Sequence, residues 1–236
     1  MRKKAEVRAD DVPGDTTSAP AHAPPIHTPP ADAARADRRL GRPPLLNDPR
    51  AEILQQAARL FAAQGYAESS LAQVAAAMNY SKGAIYNYFA SKQEIYDAII
   101  VATLNGLHEV GLAAARMDAP PPERLKHFMV AHACYLAENS DAFLTMLVGF
   151  SGMSDTHRAD ALRLRDAHEG QLRAIIAAGV ADGSFRGVEP AIVGRAVLSM
   201  LSWMARWFRA DGEKSARDVA LDYYDLIVRG MLPGQA

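Results

Sequence analysis

From Asp48 onward the apolar positions recur at helical spacing. Ile53, Ala57, Leu60, Phe61 and Gln64 fall at i, i+4, i+7, i+8 and i+11, one face at 3.6 residues per turn. Asn47 or Asp48 can cap the start, Pro49 suits the first turn, and Gly65 supplies the stop. This predicts a first helix from Asp48 to Gln64. Ser70 with Gln73 forms a capping-box pattern ahead of a stripe of Leu71, Val74, Ala75 and Met78. Ser81 caps a short third helix ending near Phe89. Ser91-Lys92-Gln93-Glu94 opens a long fourth through Ile95, Ile99, Leu104, Leu107 and Val110, which ends at Asp118 and the prolines 120–122. Five further helices are expected over 122–138, 141–150, 155–181, 189–210 and 214–231. No segment alternates with period two, so the expected fold class is all-α, with about nine helices.

Residues 1–47 break this pattern. Eight of the 14 prolines lie there, with almost no large apolar side chains. Such a segment cannot bury enough surface to offset its ordering entropy, and it reads as a disordered arm. The arm ends in Arg35, Arg38, Arg39 and Arg42. The whole chain carries 26 basic and 27 acidic side chains, which excludes a uniformly basic coat for nucleic acid. Residues 35–92 nevertheless hold eight basic and four acidic groups, a local excess of +4. The one cysteine, Cys134, excludes a disulfide framework and a Cys-based zinc site. It reads as a small buried thiol in a reduced, cytoplasmic protein. No run of ~18 apolar residues and no apolar stretch after the charged start are seen, so neither a membrane span nor a secretory signal is expected.

The informative constellation lies between residues 65 and 92. Helices two and three are joined by a three-residue turn, Asn79-Tyr80-Ser81, the length of a helix-turn-helix. Ala75 is small where two helices cross, Met78, Tyr80 and Ile85 face the core, and Asn79 tolerates a left-handed backbone. Helix three then projects Ser81, Lys82, Gly83, Ala84, Asn87 and Tyr88, a small polar surface suited to a major groove. Gly65-Tyr66-Ala67-Glu68-Ser69-Ser70-Leu71-Ala72-Gln73-Val74-Ala75, followed by Ser81-Lys82-Gly83-Ala84-Ile85-Tyr86-Asn87-Tyr88-Phe89 and Ser91-Lys92, resembles the TetR family of transcriptional regulators. The resemblance spans about residues 48–100.

It implies a homodimer whose third helices enter the two half-sites of a near-palindromic double-stranded operator. It also implies phosphate contacts by Tyr86 and Lys92, with Ser69, Ser70, Ser81, Lys82, Gly83, Ala84, Asn87 and Tyr88 at the DNA face. The family usually carries Gly and an aliphatic residue where this chain has Asn79 and Tyr80. A hydroxyl residue often stands at the position of Ala84. Arg38-Arg39-Leu40-Gly41-Arg42-Pro43 resembles the core of a minor-groove hook, which adds Arg42 to the DNA-contact candidates.

Other signals carry less. Gly149-Phe150-Ser151-Gly152 approaches a nucleophile elbow, but Met153 replaces the second glycine and no strand precedes it. Seven histidines show no chelating pair: His127 and His132 are five apart, and His108, His157 and His168 are scattered. No metal, cofactor or catalytic residue is therefore expected. Phe128, His132, Tyr135, Phe143, Met146, Phe150, Trp203 and Trp207 offer adaptable apolar surface and are the candidates for an effector pocket. Arg158, Arg163, Arg165 and Arg173 mix with acidic residues on helix seven, as on a solvated face. Recognition of an anionic head is the alternative reading.

The expected organisation is an arm over 1–47, a DNA-binding domain over 48–93, and a ligand-binding and dimerisation domain over 94–236. Helices eight and nine are expected to pair across the two-fold axis. The expected function is repression relieved by a small apolar or amphipathic effector, such as an acyl chain, an acyl-CoA or an aromatic molecule. The rival is a helical carrier or enzyme with no DNA role.

Overall fold

A computed structural model describes residues 48–231. Nine α-helices and one 3-10 turn make up the described residues, with no strand among them: α1 Pro49–Gln64, α2 Leu71–Ala77, α3 Lys82–Tyr86, α4 Lys92–Arg116, α5 Pro121–Glu138, α6 Ser140–Gly149, the 3-10 turn Phe150–Gly152, α7 Asp155–Ala181, α8 Pro190–Trp207 and α9 Ala216–Met231. The readings that fall on residues 1–47, Arg42 included, and on 232–236 lie outside the described residues.

The helix boundaries follow local chemistry. The Asp48 carboxylate accepts the Arg50 and Ala51 amides at 3.0 and 3.1 Å, and Gly65 at φ 87° returns its N–H to the Phe61 carbonyl. Ser70 and Gln73 form the reciprocal capping box of α2. Asn79 takes φ 56°, the one left-handed non-glycine among the described residues, and this turns α2 into α3. Three expectations need correction. Helix α3 stops at Tyr86 rather than near Phe89, with Asn87 as its C-cap. Gln64 is exposed, because the buried stripe of α1 ends at Phe61 and Gln64 turns instead to the Glu68 carbonyl and the Ser69 hydroxyl. Helix α8 stops at Trp207, because Phe208 already has an extended backbone.

One hydrophobic core runs from Ile53 in α1 to Met231 in α9. Helix α4 is its axis. It packs against α1, α5, α6 and α7. By length and composition α4 could cross a bilayer, with a mean hydropathy of 1.5 over its most apolar stretch. In this fold Ile95, Ile99, Ile100, Leu104 and Leu107 are buried against the surrounding helices. Each such side chain contributes on the order of 1.5–3 kcal/mol.

Candidate functional site

The first part of the site is the face presented by α3. Ile85 and Phe89 are buried and fix α3 onto the core, which leaves Ser81, Lys82, Gly83, Tyr86, Asn87 and Tyr88 exposed together and Ala84 half-buried. The Ser81 hydroxyl caps the helix by accepting the Ala84 amide at 3.2 Å. Lys82 reaches over the Tyr86 ring, with its Nζ 5.8 Å from the centroid. A Cβ on Gly83 would meet only the Ser81 hydroxyl at 3.8 Å. Internal packing therefore does not require glycine there, whereas a surface that must approach something outside closely does.

Arg50 supports the far end of this face, a role the sequence did not single out. Its guanidinium donates to the Tyr88 carbonyl at 2.8 Å, lies 4.1 Å from the Phe89 ring centroid, and stands 3.9 Å from Glu94.

Two expected contact residues sit elsewhere. Ser69 is 4% exposed; its hydroxyl donates to the Gly65 carbonyl at 2.6 Å and accepts from Gln64. The exposed hydroxyl at the start of α2 is that of Ser70, which donates to Gln73 Oε1 at 2.9 Å and accepts the Gln73 amide at 3.3 Å. Lys92 points inward to the α1–α2 turn. Its ammonium donates to the carbonyls of Tyr66 at 2.7 Å, Ser69 at 2.8 Å and Ala67 at 3.4 Å, and lies 4.2 Å from the Tyr66 ring centroid. All three of its protons are engaged, because the turn leaves carbonyls that α1 and α2 cannot satisfy. In this structure Lys92 positions the turn.

The second part is an open-sided cavity of about 600 Å³ lined by α4, α5, α6, α7 and α8. Leu104, Leu107, Leu147 and Leu198 give it an apolar wall, and Arg165, Glu169, Arg195, Ser199 and Ser202 add polar groups. Of the eight candidates, His132, Met146, Phe150 and Trp203 line it. Phe128 and Phe143 are buried behind the lining. Phe128 stacks on His168 with centroids 4.8 Å apart, and Phe143 meets the edge of His132 at 5.7 Å. Tyr135 lies in a separate cleft of about 390 Å³ between α1, α4 and the α5–α6 joint, and Trp207 lies in a groove beside Phe208 and Tyr223.

The sequence reading missed His168 and Arg195, and named Arg165 only among the four arginines of its alternative anionic-head reading. His132 and His168 are 36 residues apart yet meet at 3.1 Å, Nδ1 to Nε2. Burial, and then the neighbouring His168, hold His132 well below the usual imidazole range. Burial, and then His108, lower His168 to about 4, against the opposing effect of Gln171 and the Leu107 carbonyl. Arg165 lies 5.3 Å from the Phe150 ring centroid, and Arg195 pairs with Glu169 at 3.3 Å.

A polar clasp connects the two parts. The Tyr66 hydroxyl donates to Gln93 Oε1 at 3.0 Å, and Gln93 Nε2 donates to Asp97 at 2.9 Å and to the Gly152 carbonyl at 3.1 Å. Asp97, 1% exposed, accepts the Ser154 amide and hydroxyl and lies 3.3 Å from His157. The α1–α2 turn is thus bonded through the first turns of α4 to the corner where α6 gives way to α7.

This arrangement has known counterparts. The sequence profile described as bacterial regulatory proteins, tetR family, matches residues 53–99, and that of the tetracyclin repressor-like C-terminal domain matches 118–231. The transcriptional repressor KstR2 of Mycolicibacterium smegmatis is 24% identical over 188 residues, 79% of this chain and 92% of its own length. The crystal structure of PfmR, a TetR family transcriptional regulator from Thermus thermophilus, is 47% identical. It covers 75% of this chain and 97% of its own, with a TM-score of 0.72. AibR, solved in complex with isovaleryl coenzyme A and operator DNA, shares the fold at 24% identity and a TM-score of 0.68, over 79% of this chain and 99% of its own. An exposed α3 on a helix-turn-helix, joined by α4 to a cavity between the C-terminal helices, agrees with these matches: the chain belongs to the TetR family and is a ligand-responsive, DNA-binding transcriptional regulator.

Proposed function

We propose that the chain represses transcription as a homodimer on a near-palindromic operator and releases it when a small amphipathic effector fills the α4–α8 cavity. One observation carries this reading: α4 serves both parts. Its first turns hold the α1–α2 turn through Lys92 and Gln93, and its middle lines the cavity through Leu104 and Leu107. An effector that prefers one placement of α4 therefore has a direct route to the position of α3, and only such a difference in affinity can move the protein off DNA.

Ser81, Lys82, Gly83, Ala84, Tyr86, Asn87 and Tyr88, with Ser70 at the start of α2, form the proposed DNA face. Lys82 and Tyr86 meet phosphates and the small residues admit the groove edge. Dimerisation supplies the spacing. Ile192 and Trp203 on α8 are 62% and 61% exposed and Leu226 on α9 is 66% exposed, an apolar stripe that a second copy would cover. Paired in this way, two α3 helices can address half-sites ~34 Å apart. Trp203 belongs to both the stripe and the cavity, so effector and partner share a side chain. The apolar wall, with Arg165 and Arg195 beside it, favours an amphipathic effector with an anionic end. AibR, a protein of this fold, binds an acyl thioester and operator DNA. The chain acts by binding, not catalysis, in the compartment that holds the chromosome.

A gel shift with DNA from upstream of the chain's own coding sequence tests the proposal. The wild type should shift this DNA, and Tyr86→Ala and Lys82→Ala should each abolish the shift while remaining dimeric. Shifts of wild-type strength from both variants, or none from the wild type, would favour a helical carrier with no DNA role.

A further inference from the structure

The cavity wall is apolar over most of its extent, yet two imidazoles line it. His132 is 1% exposed, its Nδ1 faces His168, and its Nε2 has no protein partner. Buried polar nitrogens are normally paired, so this one points to a group that arrives with a ligand.

The groups behind His132 decide what kind of partner it takes. Gln171 Nε2 lies 3.0 Å from His108 Nδ1. An amide nitrogen only donates, so Gln171 gives a proton to His108 and directs its Oε1 elsewhere. That Oε1 and His168 Nδ1 sit together against Gly111. A Cβ at Gly111 would lie 2.2 Å from the first and 2.7 Å from the second, so the glycine makes room for both. The Leu107 carbonyl is a further acceptor beside His168. His168 Nδ1 makes no hydrogen bond of its own, but the polar groups beside it only accept, so His168 carries its proton there and presents a bare Nε2. His132 must then donate from Nδ1. A neutral imidazole has one proton, so His132 Nε2 is a bare acceptor in the wall of the cavity.

Building on the proposed effector site, we infer that His132 Nε2 selects the effector by accepting a hydrogen bond from it. The effector therefore carries a hydroxyl or amide N–H part-way along an apolar body, with its anionic end toward Arg165 and Arg195. Arg165 and His168 are one turn apart on α7, which sets the donor several carbons from the charged end.

Calorimetric titration of the full chain with decanoate, 5-hydroxydecanoate and 5-oxodecanoate tests the inference. The hydroxy acid donates at mid-chain, the oxo acid only accepts, and decanoate does neither. The hydroxy acid should bind about tenfold tighter than the other two. His132→Phe should level the three affinities, and His132→Gln, whose Oε1 can accept, should keep part of the preference. Equal affinities in the wild type, a preference for the oxo acid, or a hydroxyl preference that survives in His132→Phe would overturn the inference and leave the effector site standing. If His132→Phe does not fold, the wild type set against His132→Gln decides: a hydroxyl preference that the glutamine reduces supports the inference, and one that the glutamine leaves unchanged overturns it. Failure of all three acids to bind would overturn the inference together with the reading of the cavity as an amphipathic effector site.

Discussion

Gly83 shows how much one side chain, or its lack, can carry. It lies in the first turn of α3 with open space where a Cβ would go. Gly83→Ala should raise folding stability by about 0.5–1 kcal/mol, since alanine loses less backbone entropy in a helix. The same methyl should hold α3 away from the groove and weaken operator binding by about tenfold. Thermal melting and a binding titration on one preparation check both directions, and unchanged affinity would remove Gly83 from the interface. Ser69 and Ser70 teach the complementary lesson. Both are hydroxyl residues before α2, and Gln73 three residues on marks only Ser70 as its cap. The burial of Ser69 comes only from the return of the chain onto Gly65, while Ser70 stays exposed at the cap. Lys92 is similar: its position at the start of α4 is readable, but its three carbonyl partners come from a turn more than twenty residues away.

At the scale of elements, the His132–His168 contact joins α5 to α7. Both imidazoles are buried neutral, and His168 is lowered from 6.5 to about 4. The folded state therefore binds fewer protons than the unfolded chain across that window. The stabilisation is complete above the unfolded value near 6.5 and is lost as pH falls toward 4. His168 alone accounts for about 3 kcal/mol across that range. The melting temperature should drop on acidification from pH 6.5 to 5, and the drop should shrink in a His132→Gln/His168→Gln variant; equal drops would contradict the assignment. The helices themselves were legible in the sequence because their signals are local. The bounds of α7 match the expected 155–181, with Asp182 and Gly183 closing its end. The cavity was half legible. Met146, Phe150, Trp203 and His132 stand out by size and polarity and Arg165 as one of four arginines on helix seven, whereas His168 and Arg195 join it only through packing between distant helices. Spacing along one helix does not encode that packing.

For the whole molecule, the proposed dimer rests on the exposed stripe on α8 and α9. An Ile192→Glu/Leu226→Glu variant should elute as a monomer in light-scattering chromatography and lose at least about 100-fold in operator affinity, because each half-site would then be bound alone. A dimer of unchanged mass would move the interface elsewhere. The clasp from Tyr66 through Gln93 and Asp97 to Ser154 has a mechanical consequence at this scale. It sits at one end of α4, a rod of 25 residues and therefore ~37 Å long. A tilt of about 5° pivoting at the opposite end would sweep the clasp sideways by about 3 Å, and the mirrored tilt in a second copy would double the change in reach. A lever of this length turns a displacement no larger than a methyl group inside the protein into a misfit that a rigid double helix cannot follow.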